Sequence, residues 1–144
     1  MEELLAYALL SCSGFDGGEA RFWTRLNQLF LANPDSRLLL ELECETNLYR
    51  ALAVLRTHME TEGLDRARFG RELMRLLRTH YAVCTDLPEF GRRAHSLWNG
   101  LPGSLQRTDP FEALLWACDL LSLEGEAQCR AFCERMFRFY DHEH

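Results

Sequence analysis

Arg68, Arg71, Arg75 and Arg78 are the residues whose type and spacing come nearest to a binding chemistry. At about 100° per residue they share one helical sector of roughly 80°, opposite Phe69, Leu73 and Leu76. Four guanidinium groups on one face can grip phosphates or a partner's carboxylates through paired N–H donors. Arg92 and Arg93 on the next predicted helix would extend the patch. Trp98 and Leu101, in the turn-rich stretch that follows, would add apolar contact for a partner. The same pattern also marks an ordinary solvated face, because charged faces are where amphipathic helices meet water.

Charge is spread unevenly around this segment. Residues 1–63 carry five arginines and ten acids, residues 64–93 seven and four, and residues 94–144 four and eight. A basic middle therefore lies between two acidic ends, in a chain of net charge −6. That overall acidity opposes tight binding of a polyanion.

The other chemistry-bearing residues read as structure. The six cysteines (Cys12, Cys44, Cys84, Cys118, Cys129, Cys133) form no C-x-x-C pair, and five occupy apolar-face positions of predicted helices. Free cysteine packs as a small hydrophobe, so reduced core thiols are expected. Cys129 and Cys133, four apart with His142 and His144 close in sequence, could place two sulfurs on one metal. Yet they sit among Phe132, Met136 and Phe137, which points to core packing. His58, His80, His95, His142 and His144 make no H-E-x-x-H or E-x-x-H pair. His80 falls on the apolar face of its helix and is expected to be a hydrogen-bonded core histidine.

Asp119 and Glu112 form a narrow polar strip on a helix that is otherwise apolar on two sides. A partly buried carboxylate there needs a partner: it could be catalytic, but a structural bond to an arginine, tyrosine or tryptophan is the favoured reading. Glu41, Glu43 and Glu45 read as a solvent-facing run. No G-x-S-x-G, P-loop or G-x-G-x-x-G occurs. No catalytic residue, metal or cofactor is expected.

Residues 55–73 resemble the opening of a helix-turn-helix: Leu55-Arg56-x-x-Met59-Glu60-x-x-Gly63-Leu64-Asp65, then Arg68-Phe69-Gly70-Arg71-Glu72-Leu73. A reading helix should follow a short turn, whereas Met74-Arg75-Leu76-Leu77 continues the same helix. No residue role follows from the resemblance.

The elements that must position these residues are helices. The chain has no lysine, no isoleucine and only Val54 and Val83 as valines, against twenty-seven leucines and sixteen arginines. Leucine, arginine, glutamate and alanine favour helix, and the β-branched apolar residues that build sheets are almost missing. A GC-rich, bacterial-like composition depletes the same codons, so composition is supported here by periodicity.

Helix one should run over Glu2–Cys12 and is apolar all round, which predicts a sandwiched helix or one covered by another subunit. Helix two starts near Glu19 and ends before Asn33-Pro34. Arg37–Thr61 reads as one long helix with a kink near Thr46-Asn47, although Leu40 to Glu45 also alternate as a strand would. Helix four opens at Asp65, with Leu64 and Phe69 as a hydrophobic staple, and spans residues 65–81. Helix five follows Asp86 and ends at Gly100. Asp109-Pro110-Phe111-Glu112 signals the sixth helix, with Asp109 as N-cap. Its two apolar faces, one carrying Trp116, Leu120 and Leu123, predict a position between layers. The last helix covers about Gly125–Tyr140.

The expected fold is all-α, one compact domain over residues 1–144 with six or seven helices. No apolar run approaches the ~18 residues of a membrane span. Leu4 to Leu10 follow Glu2 and Glu3, where a secretory signal would carry positive charge, so a soluble cytoplasmic protein is expected. The first functional reading is a non-catalytic module that binds another protein or a second copy of itself, as an adaptor, regulator or immunity-type protein. Helix one and the Trp98–Leu101 loop would offer the surface. The alternatives are a nucleic-acid-associated regulator using the arginine face, and a small-molecule enzyme without a recognisable motif.

Overall fold

The computed structural model describes residues Met1–Asp141. Among the described residues there are eight α-helices and no strand, one or two helices more than the sequence predicts. The contacts gather into two compact units, Met1–Asp65 and a second from Arg66 onward.

The first unit holds α1 (Glu2–Cys12), α2 (Gly18–Ala32), α3 (Arg37–Glu43) and α4 (Leu48–Glu62). α1 packs against α2 and α4, and α3 against α2 and α4. Leu4, Leu5, Ala6, Ala8, Leu9 and Leu10 of α1 are all buried. These apolar residues of helix one therefore belong to the protein's own core and are not open to a partner. α2 reaches α1 closely because Gly18 has no side chain: a Cβ there would stand 2.5 Å from the Tyr7 carbonyl oxygen.

The long helix predicted over Arg37–Thr61 is two helices. α3 starts at Ser36, whose Oγ accepts from the Leu39 N–H, and ends at Glu43. Asn47 then opens α4, its Oδ1 accepting from the Tyr49 and Arg50 N–H groups at 2.8 and 3.4 Å. An asparagine that satisfies the orphan donors of a new first turn favours a fresh helix start over a kink. The alternating Leu40–Glu43 stretch is helical, with Leu42 buried and Leu40 half exposed.

The second unit holds α5 (Arg66–Val83), α6 (Leu87–Gly100), α7 (Glu112–Glu124) and α8 (Glu126–Phe137). α7 packs against both α6 and α8, and α8 also packs on α5. α6 is capped by Asp86, whose Oδ1 accepts from the Glu89 N–H at 3.1 Å. α7 starts three residues after the Asp109 signal, with Phe111 at its N-cap position and no side-chain cap. Backbone turns over residues 102–111 take up the preceding donors, including Leu105 N–H to Pro102 and Thr108 N–H to Leu105.

Aromatic rings fill this unit's core. Phe69 stacks on Phe111 at 5.7 Å between centroids, and Tyr81 meets Phe90 and Phe137 at 5.5 and 5.2 Å. Cys129 and Cys133 are buried, but Cys12, Cys84 and Cys118 are only partly covered and Cys44 is exposed. The expectation of uniformly buried thiols is thus too broad: Cys44 lies at the end of α3, where no further turn covers it.

Candidate cleft on the arginine helix

α5 is a strongly sided helix. Phe69, Leu73, Met74, Leu76 and Leu77 are buried, while Arg68, Arg71, Arg75 and Arg78 are all exposed. Arg71, Arg75 and Arg78 come together along one wall of a cleft of about 620 Å³. Met74, Ala82, Val83, Phe137 and Tyr140 give the cleft an apolar floor and far wall, and Thr79 and Asp141 add polar atoms. Val83 is 75% exposed. Arg68 stands one turn earlier and does not line the cleft.

The Arg75 guanidinium is oriented by a carboxylate of its own helix. Glu72 grips Arg75 with both oxygens, at 2.6 Å to Nη2 and 3.2 Å to Nε, and the arginine side chain is still 60% exposed. Such fork-to-fork pairing fixes the direction of the guanidinium plane. Thr79 Oγ1 donates to the Arg75 carbonyl at 3.1 Å, which ties the floor to the same turn.

The far wall depends on a glycine. A Cβ on Gly70 would lie 1.8 Å from the Tyr140 hydroxyl oxygen. A glycine inside a strongly patterned helix is the sequence mark of such a close approach. Phe137, seen from sequence only as a core position of the last helix, and Tyr140, at that helix's expected end, supply part of the site. Their place beside α5 comes from tertiary packing between segments about sixty residues apart.

The remaining predicted contacts lie elsewhere. Arg92 and Arg93 share one carboxylate on α6: Glu89 pairs with Arg92 Nη2, and with Arg93 Nε at 3.0 Å. Arg92, then Arg93, holds the Glu89 carboxyl below its usual range. Neither arginine lines the cleft. Trp98 is half buried and clasps the loop after α6, since its Nε1 donates to the Gln106 carbonyl at 2.9 Å. Gln106 Nε2 donates back to the Trp98 carbonyl at 3.1 Å. Arg107 lies 5.9 Å from the centre of the indole ring. Leu101 is 1% exposed and is a core residue, so it offers nothing to a partner.

α7 also departs from expectation. Leu114 and Ala117 are buried, and a Cβ on Gly91 of α6 would lie 3.1 Å from Cys118 Cα. The opposite face is open, with Trp116 45% and Leu123 80% exposed. Two neighbours cover only one side of this helix, so it does not lie between layers. Asp119 is exposed to solvent and is no buried carboxylate.

The sulfur pair is poorly suited to metal. Cys129 Sγ donates to the Ala117 carbonyl at 3.3 Å. Burial raises the Cys129 thiol, and burial with Cys129 alongside pushes Cys133 up to about 12. Metal ligation needs thiolates, which this setting disfavours. His142 and His144 lie outside the described residues. Among the described residues no three His, Cys, Asp or Glu side chains gather as a metal site would require, and no helix is long and apolar enough to cross a membrane.

No protein-family model, no curated protein and no solved structure matches this chain.

Proposed function

We propose that this chain is a binding module without catalysis of its own, and that the α5 cleft takes an acidic, apolar-faced helical segment of a protein. The observation that carries this reading is the joining of three arginines to an apolar floor in one cleft. Arginine recognises carboxylates through its fixed fork of donors, and apolar side chains gain from covering Val83 and its neighbours. A peptide helix offers both groups at once, as in other helix-in-groove complexes. Nucleic acid would use the arginines and leave the apolar floor unsatisfied, against a net charge of −6.

The test is fluorescence anisotropy with a labelled, designed amphipathic helix carrying tryptophan and leucine on one face between glutamates. Polyglutamate and a short DNA duplex serve as comparison probes. The designed helix should bind best. Arg71→Gln, Arg75→Gln and Arg78→Gln combined should weaken it by about tenfold, the sum expected for a few exposed charge pairs. Val83→Asp should weaken it as well. Tighter duplex binding, with a salt slope flattened by about one unit per lost arginine, would replace this reading with the nucleic-acid one.

A further inference from the structure

We infer that the cleft's occupant is the exposed face of α7 from a second copy of this chain, so that the protein associates with itself through a basic cleft and an acidic helix. The inference rests on the binding reading above and names its partner. Three observations carry it.

The first is the chemistry of the α7 face. Trp116, Leu120 and Leu123 recur at i, i+4 and i+7 and share a helical sector of about 60°. Trp116 and Leu123 are well exposed and Leu120 is partly so. Glu112 and Asp119 run along one side of this stripe, and Glu124 borders the other. This is an apolar ridge between carboxylates, the inverse of an apolar floor beside guanidinium groups.

The second observation is spacing. Arg71 and Arg78 are seven residues apart, as are Glu112 and Asp119, and Trp116 and Leu123. Each pair therefore spans about 10 Å of helix axis. Two acids on the incoming helix can meet the outer arginines while the ridge lies over the floor. The cleft's volume of about 620 Å³ falls within the roughly 300–1,000 Å³ of pockets that enclose a ligand, room for the side chains of one or two helical turns.

The third is the charge of the unit that holds both surfaces. Residues 66–93 carry seven arginines and three acids, and residues 94–144 carry four arginines and eight acids. The two halves are opposite in sign, so a second copy supplies the complement of each. Two such contacts related by a two-fold axis close a dimer, and contacts that do not close build longer species.

The experiment is sedimentation velocity of the full chain over a wide range of protein and salt concentration. The expected result is reversible association that weakens as salt rises. Arg71→Glu, Arg75→Glu and Arg78→Glu combined should give monomers, and so should Glu112→Arg with Asp119→Arg. Mixing the two reversed variants should restore association, now between unlike copies. If a reversed variant loses its helical circular dichroism, the neutral changes Glu112→Gln and Asp119→Asn take its place. These should raise the dissociation constant by more than about threefold.

A wild type that stays monomeric throughout overturns the inference. So does association that survives either reversal, or a mixture of reversed variants that remains monomeric. The designed-helix titration then separates the two ideas. If that helix still binds the cleft, only the identity of the partner is wrong; if it does not, the binding reading falls too.

Discussion

Helices α1 and α7 are both apolar on nearly every side. α1 carries Leu4, Leu5, Leu9 and Leu10, and α7 carries Leu114, Leu115, Leu120, Leu121 and Leu123. In α1 every one of those leucines is at most 1% exposed, whereas Leu123 of α7 is 80% exposed beside a half-exposed Trp116. The difference follows from the polar residues. Glu2 and Glu3 sit at the first turn of α1 and leave the rest of the helix free of charge. Glu112 and Asp119 of α7 mark one side of a stripe that no neighbour covers, and Glu124 borders the other. Apolarity all round shows that a helix can be buried; carboxylates repeated along one side show where burial stops.

The largest expected effect breaks the comparison if the two helices respond alike. Leu5→Asp or Leu9→Asp puts an unpaired charge into a fully enclosed site and should cost more than about 4 kcal/mol, enough to unfold a marginal protein. Leu123→Asp should change stability by no more than about 0.5 kcal/mol, because its site already faces water. Urea midpoints at unchanged slope measure both. Equal costs would mean that α7's open face is covered in solution, and sedimentation of the same variants would identify a second copy as the cover.

Smaller effects come from the glycines that let each helix approach its neighbour. Gly18→Ala would bring a Cβ to 2.5 Å from backbone oxygen and 3.1 Å from the Ser11 nitrogen, both on α1. Rigid backbone cannot yield locally, so a loss of about 2–3 kcal/mol is expected. Gly91→Ala meets α7 at 3.1 Å from Cys118 Cα, a contact relieved by a shift of a few tenths of an ångström, and about 1 kcal/mol is expected. Thermal unfolding of the two variants ranks them; the reverse order would show that α7 is held more firmly than α1.

Alkali should act on the buried side of α7's neighbour. The Cys133 thiol is raised from 9.0 to about 12, chiefly by burial and then by Cys129, so the folded state keeps its proton where the unfolded chain gives it up. The stabilisation is complete below pH 9 and is lost as pH rises towards 12. At about pH 10 the loss should be about 1 kcal/mol. Cys129 and Tyr81, both raised by burial, steepen the decline. Cys133→Ala should flatten the fall of unfolding free energy between neutral and alkaline pH. A variant with the wild-type slope would show that Cys133 ionises as readily in the folded protein as in the unfolded one. Thiol labelling offers a parallel measure, with Cys44 reacting first and the two buried thiols last.

Helix existence and phase were legible in the sequence wherever a polar residue punctuated the pattern. The bounds Glu2–Cys12 follow from the glycines after Cys12, the start of α6 from Asp86, and the arginine sector of α5 from its spacing. Asn47 was legible as a disturbance but not as a helix start, because leucine and glutamate favour helix on both sides of it. Asp109 misled, since the same aspartate–proline signal also suits the turns that precede α7. The cleft lay beyond reach: Arg71, Arg75 and Arg78 name one wall, while Phe137 and Tyr140 arrive through packing that periodicity does not encode. Helical phase likewise tells which α7 residues share a face, not which face is covered.

The smallest effect on stability carries the most information about the cleft. Changing Arg71, Arg75 and Arg78 to glutamine keeps three long polar side chains on an exposed helix face, with glutamine close to arginine in helix propensity. The Arg75–Glu72 pair is among the interactions lost; exposed pairs three residues apart contribute about 0.3–0.5 kcal/mol, and changes on an exposed face usually stay within about 0.5 kcal/mol. The triple variant should therefore unfold within about 0.5 kcal/mol of wild type. Against that near-constancy, loss of binding to the acidic helix can be assigned to the cleft itself and not to a weakened fold. A cost of 2 kcal/mol or more in the urea midpoint would reverse the assignment: the arginines would then be holding α5 in place, and the comparison of an acidic α7 face with a basic α5 cleft would lose its second member.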